Sequence, residues 1–259
     1  MMDLKTLLLT IDNGIAVVTL NRPPVNAQNA EMREEITRVF DTLSDMDDVA
    51  AIVLTGAGKV FSAGADIKSR NGAREISADT YRHLRRAREV GFCIMESNKA
   101  VIAAVNGPAL GAGLGLAVCC DIIMASENAV FGLPEIDVGL MGGVRHTMRL
   151  MPHSLTRKMV LSGYRVPAAE LYRRGIIEEC VSREQLLPTA LKLANEIAKK
   201  SPMALKLAKR AINTVETMGL KDGYRFEQNL TVEMTQHEDS KEAMRAFIEK
   251  REPVFKDVV

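Results

Sequence analysis

Apolar strand-like runs alternate with helical stretches along the first 150 residues or so, and this alternation constrains the fold more than any other feature of the chain. Such an order lays helices against the faces of a sheet, a layered α/β arrangement. Residues 7–11 and 15–20 read as two strands, with Asp12-Asn13-Gly14 between them as a hairpin signal. Asn21-Arg22-Pro23-Pro24 stops the second strand. Residues 28–45 predict a helix, because Met32, Ile36, Phe40 and Leu43 recur at spacings of three and four. Residues 49–55, 101–105 and 122–125 read as buried strands. A helix is predicted over 77–97, polar and basic first and apolar later, and residues 69–76 read as an exposed loop.

Beyond residue 150 the pattern is almost wholly helical. Residues 202–216 show it best, with Ala204, Leu205, Ala208, Ala211, Ile212 and Val215 on one apolar stripe. Phe226, Leu230 and Met234 continue helical spacing. No strong linker separates this region, so it is expected to pack on the α/β core or on a neighbouring subunit. A chain of 259 residues accommodates one compact domain with a helical appendage. The expected division is an α/β core over 1–195 and a helical region over 196–259.

Charge excludes some partners. Basic and acidic residues number 34 and 33, a formal net charge of +1, which predicts neither nucleic-acid nor membrane-surface binding. No apolar run approaches the roughly 20 residues of a membrane span. Residues 1–11 hold Asp3 and Lys5 and lack a signal peptide's apolar core, so a cytoplasmic protein is expected. Cys93, Cys119, Cys120 and Cys180 form no CxxC and read as buried free thiols. His83, His146, His153 and His237 form no HxH or HxxxH pair, so no metal site is expected.

Two glycine-rich segments carry the chemistry. Gly111-Ala112-Gly113-Leu114-Gly115 is not a dinucleotide fingerprint, because Leu116 stands where the last glycine is required. Gly56-Ala57-Gly58-Lys59 is not a phosphate-binding loop, because Val60 follows the lysine. Residues 61–68 (FSAGADIK) and 106–113 (NGPALGAG) each follow a buried strand and place small residues where a helix could start. Small residues let a ligand approach the backbone, and helix N-termini offer unpaired N–H donors to developing negative charge. Two such turns brought together make an oxyanion hole. Separately, each is also what a tight strand–helix turn requires.

FSAGADIK, VNGPALGAGLGLAVCCD at 105–121 and FGLPEIDVG at 131–139 together resemble the signature of the enoyl-CoA hydratase/isomerase family, the crotonase superfamily. LNRPPVNA at 20–27 resembles its first strand–helix turn, and AFIEKREPVF at 246–255 its C-terminal tail. The resemblance implies a crotonase-like spiral of ββα units with a helical C-terminal trimerisation region, assembled as a homotrimer or a dimer of trimers. It implies a coenzyme A thioester as substrate and no separate cofactor. The backbone N–H groups of Ala65 and Ala112 would hold the thioester oxygen. Coenzyme A would lie along Val25, the segment Ala63, Gly64, Ala65, Asp66 and Ile67, and Gly111. Phe247 and Lys250 would help enclose its nucleotide end, often from a neighbouring subunit.

Hydratases of this family use two glutamates around a water. Glu135, in FGLPEI, matches the one that exchanges a proton with the α-carbon; the place of the other is held by Gly115. One carboxylate suffices for the Δ3,Δ2-enoyl-CoA isomerases, which move a proton from C2 to C4 without water. The dienoyl-CoA isomerases place an acid where this chain has Gly143. Asp137 is a candidate second acid, since in an extended segment it would point the same way as Glu135. His146 is a further candidate for the acyl pocket, with Arg145 beside it. The expectation is isomerisation or hydration of an enoyl-CoA in fatty-acid or related acyl-CoA metabolism, with Glu135 as acid/base. Decarboxylation or hydrolysis of a thioester, and CoA binding without catalysis, are the alternatives.

Overall fold

A computed structural model describes residues 2–67 and 78–255. The expected loop at 69–76, Ser77 at the start of the second helix, and Lys68 lie outside the described residues.

The hairpin forms as its turn residues require. β1 (Leu7–Asp12) and β2 (Ile15–Leu20) pair antiparallel, with Asn13 and Gly14 both at positive φ between them. β3 (Ala51–Gly56), β4 (Ala100–Val105), β6 (Ile122–Ser126) and β9 (Glu179–Val181) extend β2 in parallel, in the order β1-β2-β3-β4-β6-β9. A second sheet joins β5 (Ala109–Leu110), β7 (Val130–Gly132) and β8 (Arg165–Pro167). The region beyond residue 150 is therefore not wholly helical, as its sequence suggests. β8 and β9 are three residues long, too short for a period of two to register.

The central strands β3, β4 and β6 alternate their side chains between two cores. From β3, Ile52 and Leu54 enter the larger core, shared with α1 (Ala30–Asp45), α2 (Ala78–Met95) and α3 (Ala112–Cys119). Ala51 and Val53 face the opposite side, against Leu186, Ala190 and Ala194 of α7 (Arg183–Ala198). α1 presents Met32, Ile36, Val39, Phe40 and Leu43 to the larger core, the spacing the sequence predicted. It begins at 30 rather than 28, because Asn29 caps it through the Met32 N–H and Gln28 pairs instead with Ala65.

Two short helices, α4 (Val144–Leu150) and α5 (His153–Ser162), run between β7 and β8, and α6 (Ala168–Arg173) connects β8 to β9. The last three helices are α8 (Pro202–Val215), α9 (Leu220–Gln236) and α10 (Glu238–Glu249). Lys209 of α8 is buried, its Nζ 2.9 Å from Asp121 Oδ2 and donating to the carbonyls of Ile94 and Lys99. The apolar stripe of α8 lines a groove with Leu230 and Met234 of α9, and Ile212 remains 64% exposed. Among the described residues no helix is long and apolar enough to cross a membrane.

Candidate active site

The turn after β2 is built around Asn26. Its Oδ1 accepts the Arg22 N–H at 3.0 Å, and its Nδ2 lies 2.8–3.2 Å from the carbonyls of Ala57, Val60 and Phe61. The Ser62 hydroxyl donates to the Asn26 carbonyl at 2.8 Å. These contacts hold the first glycine-rich segment against the turn. That segment then pairs with the second one: Ser62 N–H donates to Pro108, and Leu110 N–H donates to Ser62.

Past this pairing each segment passes through a glycine at positive φ, Gly64 at +97° and Gly111 at +55°. An L side chain at either would be strained, and a Cβ on Gly64 would stand 2.7 Å from the Leu110 carbonyl oxygen. Next in each segment come Ala65 and Ala112. Ala65 sits in a parallel bridge to Gln28, so its neighbours' polar groups are used while its own N–H is turned away. Ala112 is the first residue of α3, whose leading N–H groups have no partner within the helix. Among the described residues neither N–H donates a hydrogen bond. A third contact reaches across: Gln28 Nε2 donates to the Ala112 carbonyl at 2.9 Å.

Ala63, Gly64, Ala65 and Ile67 from the first segment, and Gly111, Ala112 and Gly115 from the second, line one cavity of about 460 Å³. Glu135 lines the same cavity from a 3₁₀ turn, Pro134–Val138. Burial pushes its carboxyl above the ordinary carboxylate pKa, and its Oε2 is buried without a hydrogen-bond partner. Among the described residues a Cβ on Gly115 would meet nothing within 4 Å, so the cavity is open beside it.

Asp137 also borders the cavity, for a different reason than the sequence suggests. The segment is 3₁₀ rather than extended, so residues two apart do not project together. The Asp137 carboxylate lies against Gly163 at the end of α5, 2.9 Å from where a Cβ there would sit. His146 is not among the lining residues: its imidazole packs toward Gly91 of α2. Arg145 is likewise absent from the lining. Val25 accepts the Ala63 N–H through its carbonyl, and Asp66 pairs with Arg22 at 2.8 Å; neither lines the cavity. Phe247 is 82% exposed and Lys250 ends α10 in the left-handed conformation, both away from the cavity lining of their own chain.

Residues that the sequence reading did not single out for the site also border it. Arg33 of α1, almost fully buried, lies 3.1 Å from the His83 ring of α2, and both line the cavity together with Leu84, Leu140, Met141 and Arg165. Gln28 carried no signal, because its partner lies 84 residues away. Among the described residues no cluster of His, Cys, Asp and Glu could hold a metal ion.

The sequence profile of one family, described as enoyl-CoA hydratase/isomerase, matches residues 10–258. The chain belongs to the enoyl-CoA hydratase/isomerase family. It is 37% identical to the short-chain-enoyl-CoA hydratase of Clostridium acetobutylicum, over 96% of this chain and 97% of that one. It is 35% identical to the 2,3-dehydroadipyl-CoA hydratase of Escherichia coli K12, over 98% and 99% of the two chains. The solved structure of Pseudomonas aeruginosa DspI superposes with a TM-score of 0.93 at 31% identity, covering 98% of each chain. The crotonase fold and an enzyme of this family are thereby established, acting on acyl-CoA thioesters.

Proposed function

We propose that the chain isomerises enoyl-CoA thioesters between the 3-enoyl and 2-enoyl forms, using Glu135 as its one acid/base. A single observation supports this most: the desolvated Glu135 carboxylate shares a cavity with two N–H groups that have no partner among the described residues, and Gly115 in the same lining leaves its side-chain space unfilled. In this reading the N–H groups of Ala65 and Ala112 hold the thioester oxygen. Glu135 takes a proton from C2, negative charge moves onto that oxygen, and the two donors stabilise it as it forms. The carboxylic acid then returns the proton to C4. One proton leaves and one arrives, so neither water nor a cofactor is needed.

Coenzyme A would lie along Ala63–Ile67 and Gly111, beside the turn that holds Val25. Phe247 and Lys250 would act from a neighbouring subunit, with α8–α10 as the assembly region of a homotrimer or a dimer of trimers.

Hydration is the second reading, favoured by the printed names of the relatives and by the room beside Gly115 for a water. Both are tested by offering purified protein 3-enoyl-CoA and 2-enoyl-CoA thioesters alongside Glu135→Gln. The expected result is double-bond migration exceeding hydration, with the variant slower by about 100-fold or more. Undiminished turnover in Glu135→Gln overturns the assignment of Glu135. Hydration as the faster reaction favours the second reading.

A further inference from the structure

We propose that Gln28 is a positioning residue of the oxyanion hole: its side-chain amide fixes the Ala112 donor relative to the Ala65 donor. The proposal rests on the reading that these two N–H groups hold the thioester oxygen.

An oxyanion hole works because its donors are already in place when charge develops. Here the donors belong to segments 47 residues apart in the chain. Their mutual pairing ends at Ser62, Pro108 and Leu110, before either donor is reached. Between that pairing and each donor stands a positive-φ glycine, Gly64 or Gly111, the residue type that least restricts the backbone. Gly111 is held within its own segment, its carbonyl accepting the Gly115 N–H at 3.0 Å, but that bond does not tie Ala112 to the segment that carries Ala65.

Gln28 binds both segments beyond the glycines. Its N–H donates to the Gly64 carbonyl at 2.8 Å and its carbonyl accepts the Asp66 N–H at 3.0 Å, bracketing Ala65. Its side chain, 3% exposed, donates to the Ala112 carbonyl at 2.9 Å. On the other side of Ala112, the Gly111 N–H donates to Gly132 at 2.9 Å. Ala112 thus lies between two held peptides, and one of them is held by the residue that brackets Ala65. That side chain is a direct link between the Ala112 peptide and the backbone that brackets Ala65.

Gln28→Met removes the side-chain donor at nearly constant volume and leaves both backbone bonds intact. Two readouts serve. One is kcat and KM on an enoyl-CoA substrate. The other is the absorption red-shift of a conjugated aryl-acryloyl-CoA on binding, which reports polarisation of the thioester carbonyl without any turnover. We expect kcat about tenfold lower with KM within about twofold, and a smaller red-shift. Gln28→Glu adds a second signature. Its ionised carboxylate faces the Ala112 carbonyl and reduces the shift, and acidification supplies an O–H donor and restores it. That arm decides the matter should Gln28→Met fold poorly. An unchanged red-shift and kcat in Gln28→Met, a change in KM alone, or a pH-independent shift in Gln28→Glu overturns the proposal while leaving the oxyanion reading intact. Absence of any red-shift in the wild-type protein on binding overturns that reading, and this inference with it.

Discussion

The carboxylate of Glu135 occupies the space that a side chain at position 111 would need: a Cβ on Gly111 would stand 2.7 Å from Oε1. The acid/base and the backbone that carries one oxyanion donor are therefore neighbours, with no room for a side chain between them. Gly111→Ala strains a backbone at φ +55° and presses on the carboxylate at once. With ψ at −123° the backbone lies in a region only glycine adopts readily, and stability should fall by about 1–3 kcal/mol. Turnover should fall further than stability explains, by roughly tenfold to 100-fold, because the proton acceptor is displaced. Thermal unfolding beside kcat at a temperature where both proteins are folded separates the two effects.

Glu135 makes a prediction about pH. Burial raises its pKa above the ordinary value of 4.5, and its basic form is the one that accepts the C2 proton. The acidic limb of kcat/KM should therefore inflect above 4.5, with activity rising as pH rises. Stability has the opposite sign. A carboxyl whose folded pKa is raised binds its proton more tightly in the folded state, so its contribution is present below the unfolded pKa and lost as pH rises through the folded value. At neutral pH, Glu135→Gln should be as stable as the wild-type protein or slightly more so while losing activity. Denaturant titrations at two pH values test the sign.

Gly115→Glu should create hydration. Among the described residues nothing stands within 4 Å of a Cβ at this position, and Gly115 lines from α3 the cavity that Glu135 also lines. A second carboxylate there could hold and deprotonate a water. Addition of water to 2-enoyl-CoA, followed by loss of the conjugated thioester absorbance, should rise on the order of 100-fold, the usual contribution of a general base. A variant that folds normally and hydrates no faster would show that this space is not available to a water.

Lys209→Ala should loosen the C-terminal helices. The ammonium is buried against two carbonyls and the partly exposed Asp121 carboxylate, and its removal leaves that carboxylate without its counter-charge. Breaking a buried pair from one side costs about 3–5 kcal/mol. Because Asp121 keeps the Val101 N–H at 2.7 Å and is partly exposed, the lower end is expected. Chemical denaturation measures it.

Much of the fold was legible because periodicity reports burial directly. The apolar residues of α1 and the stripe of α8 were read from spacing alone, and α1 buries its set as expected. The α8 stripe was legible too, but its destination was not: in the single chain it lines an open groove. Strands β5, β7, β8 and β9 escaped notice because two or three residues cannot display a period of two. The site was legible in its small residues, since Ala65, Gly111 and Ala112 stand within two characteristic segments. Asp137 does border the cavity, but from a 3₁₀ turn where an extended backbone was expected. Phe247 and Lys250 were named from the tail motif, and their own chain does not bring them to the cavity.

The sequence by itself determined the residue types the site needs: small residues that let a ligand reach the backbone, an acid after Leu133-Pro134, and a glycine where a second acid could have stood. Those are local properties, and local sequence encodes them. Only the tertiary structure decided that the two N–H groups are without partners among the described residues, that the Glu135 carboxylate abuts Gly111 and is desolvated, and that Gln28 spans the gap to Ala112. Each of these is a distance between residues far apart in the chain, and such distances arise only when the sheet and its helices have packed.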